Sequence, residues 1–184
     1  MTKRLFIAIN LPNEIKIELA DLVLKLQKAN KNKSIKWVAP DNFHLTLHFL
    51  GSVNEEKIEK INNILNPIIS NFPTLKMQLS SSINAFPSLD NPKVIFLEIK
   101  ELNNNINDLH KKIGESLTKL DFEINQRPFR LHLTLGRVKH KTNIQLPRIN
   151  ISETKFRIQT IDLMVSQLTP QGPIYTIISQ YNLV

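Results

Sequence analysis

The chain has no cysteine, which excludes disulfides, thiolate metal sites and a cysteine nucleophile. Glycine is nearly as scarce: Gly51, Gly114, Gly136 and Gly172 are the four in 184 residues, and no two lie close together. Dinucleotide fingerprints and P-loops both need clustered glycines to bring backbone close to phosphate, so neither is present. Any phosphate bound by this chain is gripped by side chains. Acids are also short, 16 Asp and Glu against 24 Lys and Arg, for a net charge of +8 and a pI of about 9.7. That balance favours an anionic partner, although a composition rich in Lys, Asn and Ile raises the pI with no function attached. No apolar run approaches the roughly 20 residues that span a bilayer. The run after Lys3 and Arg4 is cut at Asn10, Pro12 and Asn13, too soon for a signal-peptide core. A cytoplasmic protein with no membrane partner is the expectation.

What remains is an ordinary globular composition, 41% hydrophobic and 22% charged, at a length suited to one domain over residues 1–184. Leu5 to Ile9 reads as a strand covered on both faces. Ile15, Leu19, Leu22 and Leu26 make a helical stripe ending near Asn30, and Lys31 to Lys36 reads as a basic loop. A strand carries His44 to Leu50 and stops at Gly51. A second helix starts at Asn54 with Ile58, Ile61, Leu65 and Ile68 buried, and Pro67 should kink or end it. Leu75–Leu79 and Val94–Ile99 read as strands across a loop containing Pro and Ser. Leu102, Ile106, Leu109, Ile113, Leu117 and Leu120 predict a third helix. Strands are expected at His132–Leu135, Phe156–Val165 and Ile174–Leu183. Long strands with three helices predict an α+β fold of mostly antiparallel sheet.

The order hides a repeat. Strand, helix and a His-Leu-Thr-Leu strand run from Leu5 to Leu47, and the same order runs from Val94 to Leu135. The two tetrads, His44–Leu47 and His132–Leu135, stand about half the chain apart, which predicts two similar lobes facing a central cleft. Side chains alternate along a strand, so each tetrad offers an imidazole and a hydroxyl on one face, about 6–7 Å apart, with leucines anchoring the other. Two imidazoles can supply the base and the acid of an in-line displacement at phosphorus. Thr46 and Thr134 can donate to the non-bridging oxygens as charge builds there. This chemistry needs no metal or other cofactor. A four-ligand metal site is the competing reading, but Thr is a poor ligand and Asp41 is the one acid near either motif. By alternation His48 shares the face of His44 and either lines the cleft or packs, while His110 and His140 read as surface residues.

Between Ile124 and Ser152 there is no acid, whereas Arg127, Arg130, Arg137, Lys139, Lys141 and Arg148 all fall there, a composition that suits a binding surface. Arg130 shares the parity of His132 and could hold a phosphate oxygen bidentately. Arg137 has the opposite parity, so a role in the basic rim is equally open to it. Phe43, Phe49, Phe86 and Phe129 are the aromatic candidates for stacking on a base, with core packing the competing role for each. Phe49, just after the first tetrad, joins Arg130 and Arg137 as a candidate substrate contact.

The paired tetrads resemble those of the 2H phosphoesterase superfamily, and in particular its LigT-like RNA 2′,3′-cyclic phosphodiesterases. The resemblance extends over nearly the whole chain. It takes in Arg4–Ile9 with Leu11-Pro12, Trp37-Val38, Asn42–Leu47 with Phe49-Leu50-Gly51, Arg127–Arg137, and finally Ser166 with Gly172–Tyr175. One position departs, since the family commonly has Pro before the second histidine and this chain has Leu131. The resemblance implies a bilobal α+β fold with a metal-free cleft, and hydrolysis of a terminal 2′,3′-cyclic phosphate on RNA to a 2′-phosphate. It further implies that His44 is the proton donor to the leaving 3′ oxygen and His132 the proton acceptor. Acid–base chemistry alone is symmetric in the two. The expected partner is RNA with a cyclic phosphate end, tRNA fragments and cyclic nucleotides included, bound by a monomer. The other readings are a 2′-5′ RNA ligase, which is the reverse reaction in the same cleft, and an RNA- or nucleotide-binding module without turnover.

Overall fold

The computed structural model describes residues 1–31, 34–125, 127–147, 149–170 and 172–184. Arg148 of the acid-free segment, and Asn32 and Lys33 of the basic loop, lie outside the described residues. The elements in chain order are β1 (Thr2–Asn10), α1 (Asn13–Ala29), β2 (Ile35–Trp37), a 3₁₀ turn (Pro40–Asn42), β3 (His44–Asn54), α2 (Glu56–Ile69), β4 (Leu75–Phe86), β5 (Val94–Glu101), α3 (Ile106–Thr118), β6 (His132–Val138), β7 (Lys155–Ile158), β8 (Thr160–Thr169) and β9 (Gly172–Asn182). Two antiparallel sheets result, one in the order β3-β1-β8-β9 and one in the order β2-β6-β5-β4-β7. The fold is α+β, as the sequence predicts. Among the described residues no helix is long and apolar enough to cross a membrane.

β1 is buried on both faces, and the two faces do different things. Leu5, Ile7 and Ile9 enter the main core, whereas Phe6 and Ala8 turn to the opposite side with Met164. α1 buries its expected stripe and carries Glu14 in the first turn and Lys28 in the last, both on the side the helix dipole favours. Asn30 ends it. Its buried side chain donates to the carbonyls of Leu26 and Gln145 and accepts the Gln145 backbone N–H, pinning the loop at Gln145 to the helix end.

Several boundaries differ from the sequence pattern. The basic loop gives way at Ile35, which is buried in the three-residue strand β2; a strand that short shows no period. β3 continues past Gly51, because that glycine (φ 71°) sits in a bulge that leaves Leu50 unpaired and lets the ladder resume. β4 runs through the serines to Phe86 with an irregularity between Leu79 and Ile83. α2 passes through Pro67 and ends at Ile69, where Ser70 caps the Asn66 carbonyl with both its N–H and its hydroxyl. Leu102 and Leu120 fall outside α3. The strand expected over Phe156–Val165 is two strands in different sheets. Burial alternates on even residues at Phe156 and Ile158 and includes the odd residues Ile161, Leu163 and Val165 beyond Gln159, where the chain changes sheet.

The repeat is present as topology. In β1–α1–β3 and in β5–α3–β6 the two strands flanking the helix pair antiparallel with each other. The halves also exchange strands: β2 edges the second sheet, and β8–β9 at the end of the chain complete the first. A single buried cluster contains residues from both sheets and all three of these helices.

Candidate functional site

β3 and β6 approach each other where the sheets meet. Each strand bulges at the same point of its tetrad. Ala8 pairs with Thr46 and Ile7 with His48, passing over Leu47; Phe96 pairs with Thr134 and Ile95 with Gly136, passing over Leu135. An extra residue reverses the faces of the side chains that follow it. Before the bulge, alternation holds: His44, Thr46, His132 and Thr134 face a common cleft, and Leu45, Leu47, Leu133 and Leu135 are buried behind them. After it, Phe49 comes to lie across from Phe6 and Arg137 across from Val94, both on the cleft side. His48, paired with Ile7, both stacks on His110 of α3 and lines the cleft, so it takes the two roles open to it together, and Arg137 lines the cleft despite its opposite parity.

The cleft encloses about 1140 Å³, more than a site for one small molecule usually does. His44, Thr46, His132, Thr134, Phe49, Arg130 and Arg137 all line it. Lys93 and Arg127 line it too, and Glu123 is the one acid among the lining residues. Lys139, His140 and Lys141 are exposed beyond it. Arg130 precedes β6 and lies with its guanidinium 5.9 Å over the Phe86 ring. Leu131, at the position where a Pro was expected, packs half-buried against the core. Among the described residues no three His, Asp or Glu side chains come together in a metal-holding group.

The two histidines are held alike. His44 Nδ1 lies 2.7 Å from the Asn42 carbonyl and His132 Nδ1 lies 2.6 Å from the Arg130 carbonyl, each two residues upstream. A carbonyl only accepts, so each Nδ1 carries the proton and each Nε2 is left to the cleft. Aromatic edges brace both rings. His44 lies 5.1 Å from Phe6 and 5.0 Å from Tyr175; His132 lies 5.2 Å from Phe86 and 5.4 Å from Phe96. Burial pushes the His44 imidazole down to about 4, with the fields of Arg137, Lys16 and His132 acting in the same direction and the Asn42 carbonyl opposing them. His44 is therefore neutral near pH 7 when the cleft holds no anion.

The other candidates divide. Phe43 is fully buried core, as packing predicts, but Phe49 is 66% exposed and is not. Phe86 braces His132, and Phe129 stacks on His110 at 4.2 Å. His110 is half-buried between rings and does not lie on the open surface; His140 does. Sequence reasoning missed Phe6, Phe96 and Tyr175, which sit far along the chain from the histidines they brace. It also missed the acid nearest the second tetrad, since Glu98 is the cross-strand partner of His132. Asn10 is the partner of His44, and its amide donates to the fully buried Asp162 at 2.7 Å, which Gln180 also holds at 2.8 Å. No short-range motif marks such pairs.

Known proteins resemble this chain over nearly its whole length. The family model described as LigT like Phosphoesterase matches residues 9–96 and again 97–175, once in each half. A protein of Methanocaldococcus jannaschii named RNA 2′,3′-cyclic phosphodiesterase is 39% identical, over 97% of this chain and 99% of its own. One of the same name from Archaeoglobus fulgidus is 33% identical, over 94% and 96%. The crystal structure of E. coli LigT complexed with 3′-AMP superimposes with a TM-score of 0.81 at 25% identity, covering 100% of this chain and 99% of that one. By family model, by sequence and by fold alike, the chain belongs to the LigT-like phosphoesterases of the 2H phosphoesterase superfamily.

Proposed function

We propose that this protein hydrolyses the 2′,3′-cyclic phosphodiester end of RNA to a 2′-phosphomonoester, by acid–base catalysis through His44 and His132 and without a metal, the 184 residues acting as one domain. The observation that carries this reading is the matched tethering of the two imidazoles, each with Nδ1 on the carbonyl two residues upstream and Nε2 left to one basic cleft. The names of the relatives supply the substrate class. His132 takes the proton of the attacking water. His44 gives a proton to the departing 3′ oxygen, while Thr46 and Thr134 donate to the non-bridging oxygens. Incubation with an oligonucleotide bearing a 2′,3′-cyclic end should yield the 2′-phosphate alone, undiminished in excess chelator. A 3′-phosphate product, or loss of turnover in chelator that added divalent metal restores, would refute the scheme.

His44 needs a proton for this role, and burial withholds it until substrate arrives. A phosphate anion beside Arg137 offsets that residue's field and gives the His44 imidazolium a counter-ion. Binding of a nucleoside 2′-phosphate near pH 7 should therefore be accompanied by proton uptake, read by calorimetry in buffers of different ionisation enthalpy. In the protein without substrate the doubly protonated pair, which has no base for the water, cannot form until His44 takes a proton, below about 4. The acidic limb of kcat/KM should bend there, not near the ordinary imidazole value. Since the pair is coupled, the limbs belong to both rings together. Proton release on binding, or an acidic limb above pH 6, would contradict the burial of His44.

Thr46→Val and Thr134→Val each delete one hydrogen bond to the phosphate and keep the side chain's shape. Each should slow turnover about 10- to 150-fold, the value of one such bond to a charged group. Single-turnover rates at saturating substrate check this, and wild-type rates in both variants would remove the threonines from the scheme.

A further inference from the structure

Two histidines, His48 and His110, take no part in the proposed catalysis, and the role inferred for them rests on that proposed function. His48, turned toward α3 by the bulge, stacks on His110 with ring centroids 4.0 Å apart and planes 19° apart. Phe129 stacks on His110 in turn, at 4.2 Å and 23°. The two residues are also tied by a hydrogen bond. His48 Nε2 donates to the His110 carbonyl at 2.9 Å, and the carbonyl of Leu47, the residue passed over in the tetrad bulge of β3, acts on the His110 ring in favour of its protonated form.

Gly114, one turn beyond His110 on α3, makes room for this. A Cβ there would stand 3.1 Å from Cε1 of His48 and 3.5 Å from Cγ2 of Ile124. Glycine weakens a helix interior; at this position it is the notch that admits the His48 ring. Burial holds both imidazoles below their usual value, His110 down to about 4 with His48 adding to the effect, so both stack as neutral rings at pH 7. The charged groups around them are Glu123 and Arg127 from the 119–131 segment, with Lys111 and Lys112 on α3 paired to Glu115 and Asp108.

The described residues of 119–131 form neither helix nor strand; Leu120, Asp121 and Phe122 bond back to the last turn of α3, and Phe122, Ile124, Phe129 and Leu131 pack against the core. Phe129 is the member of that segment seated on the column, and its neighbour Arg130 provides the carbonyl that takes Nδ1–H of His132. We propose that the His48–His110–Phe129 column, seated in the Gly114 notch, is a positioning device for His132. It ties the bulge of β3, in one sheet, to the segment that presents the Arg130 carbonyl to the second histidine, in the other. The tautomer and orientation of His132 thereby depend on rings that act only through that carbonyl. The coupling runs through contiguous packed groups and two hydrogen bonds.

Three variants separate positioning from mere packing. His110→Ala removes the middle ring, Gly114→Ala keeps every ring but crowds His48, and His110→Phe keeps a flat ring in the column. Turnover of a cyclic-ended oligonucleotide should fall on the order of 10- to 100-fold in the first two, as a small misplacement of a reacting group does. The loss should appear in kcat with KM nearly unchanged, and His110→Phe should recover most of it. Nitrogen-15 spectra of the ring nitrogens give a readout independent of activity. His132 should hold its proton on Nδ1 in the native protein and exchange between tautomers in His110→Ala or Gly114→Ala. Native kcat together with an unchanged His132 spectrum in either folded variant overturns the proposal, and so does His110→Phe being as slow as His110→Ala. If His110→Ala does not fold, Gly114→Ala and His110→Phe carry the same comparison. Failure of the functional reading is distinguishable: it would show as a native protein inactive on cyclic ends, while the His132 spectra would still decide the role of the column.

Discussion

Replacing His132 or His44 by alanine should lower turnover of a cyclic-ended oligonucleotide by about 10²–10⁴-fold, the usual cost of removing a general acid or base. The fold should survive both changes. Each imidazole stands on the cleft face of its strand, and the leucines on the opposite face, Leu45 and Leu47 or Leu133 and Leu135, stay in the core. Each ring is also braced from the side by two aromatic residues that remain in place, Phe6 and Tyr175 for one and Phe86 and Phe96 for the other. Since the two proton transfers belong to one in-line displacement, the double variant should be little slower than the slower single one. Single-turnover kinetics with thermal melts as a control give the measurement. Native turnover in His132→Ala would end the two-histidine mechanism; strictly multiplicative losses would mean that the rings act in separate steps.

Affinity for a single-stranded oligonucleotide should fall steeply with salt. Lys93, Arg127, Arg130 and Arg137 line the cleft, and neutralising one phosphate with each gives a slope of log affinity on log salt of about −2.8, or about 50-fold between 50 and 200 mM. Arg127→Gln with Arg130→Gln removes half of these cations and should about halve the slope. A cyclic mononucleotide, with one phosphate to contact, should respond far less. The acid-free segment suggested this surface, and the structure narrows it, because Lys139 and Lys141 stand outside the cleft lining. An unchanged slope in the double variant would reduce the arginines to a solvated rim.

Much of this protein is decided locally and can be read along the chain. A stripe such as Ile15, Leu19, Leu22 and Leu26 specifies both a helix and its buried face, since neighbouring residues alone set that period. The same holds for the tetrads, where alternation over four residues puts His44 with Thr46 and His132 with Thr134 whatever the rest of the chain does. Their duplication half a chain apart was enough to identify the candidate chemistry and the family.

Tertiary structure decided what depends on partners distant in sequence. A bulge exists only relative to a neighbouring strand, so the passing over of Leu47 and Leu135 could not be seen in the tetrads themselves. That single inserted residue in each strand turned Arg137 into the cleft and His48 onto His110 of α3. The change of sheet at Gln159, the bracing of His44 by Tyr175 and the pairing of Glu98 with His132 likewise arise from strand order. The setting of His44 has the same origin. Nothing in its tetrad marks it as buried; tertiary structure packs Phe6 and Tyr175 against it and brings Arg137 and Lys16 near, which lowers its affinity for a proton because burial in low dielectric penalises the charged ring.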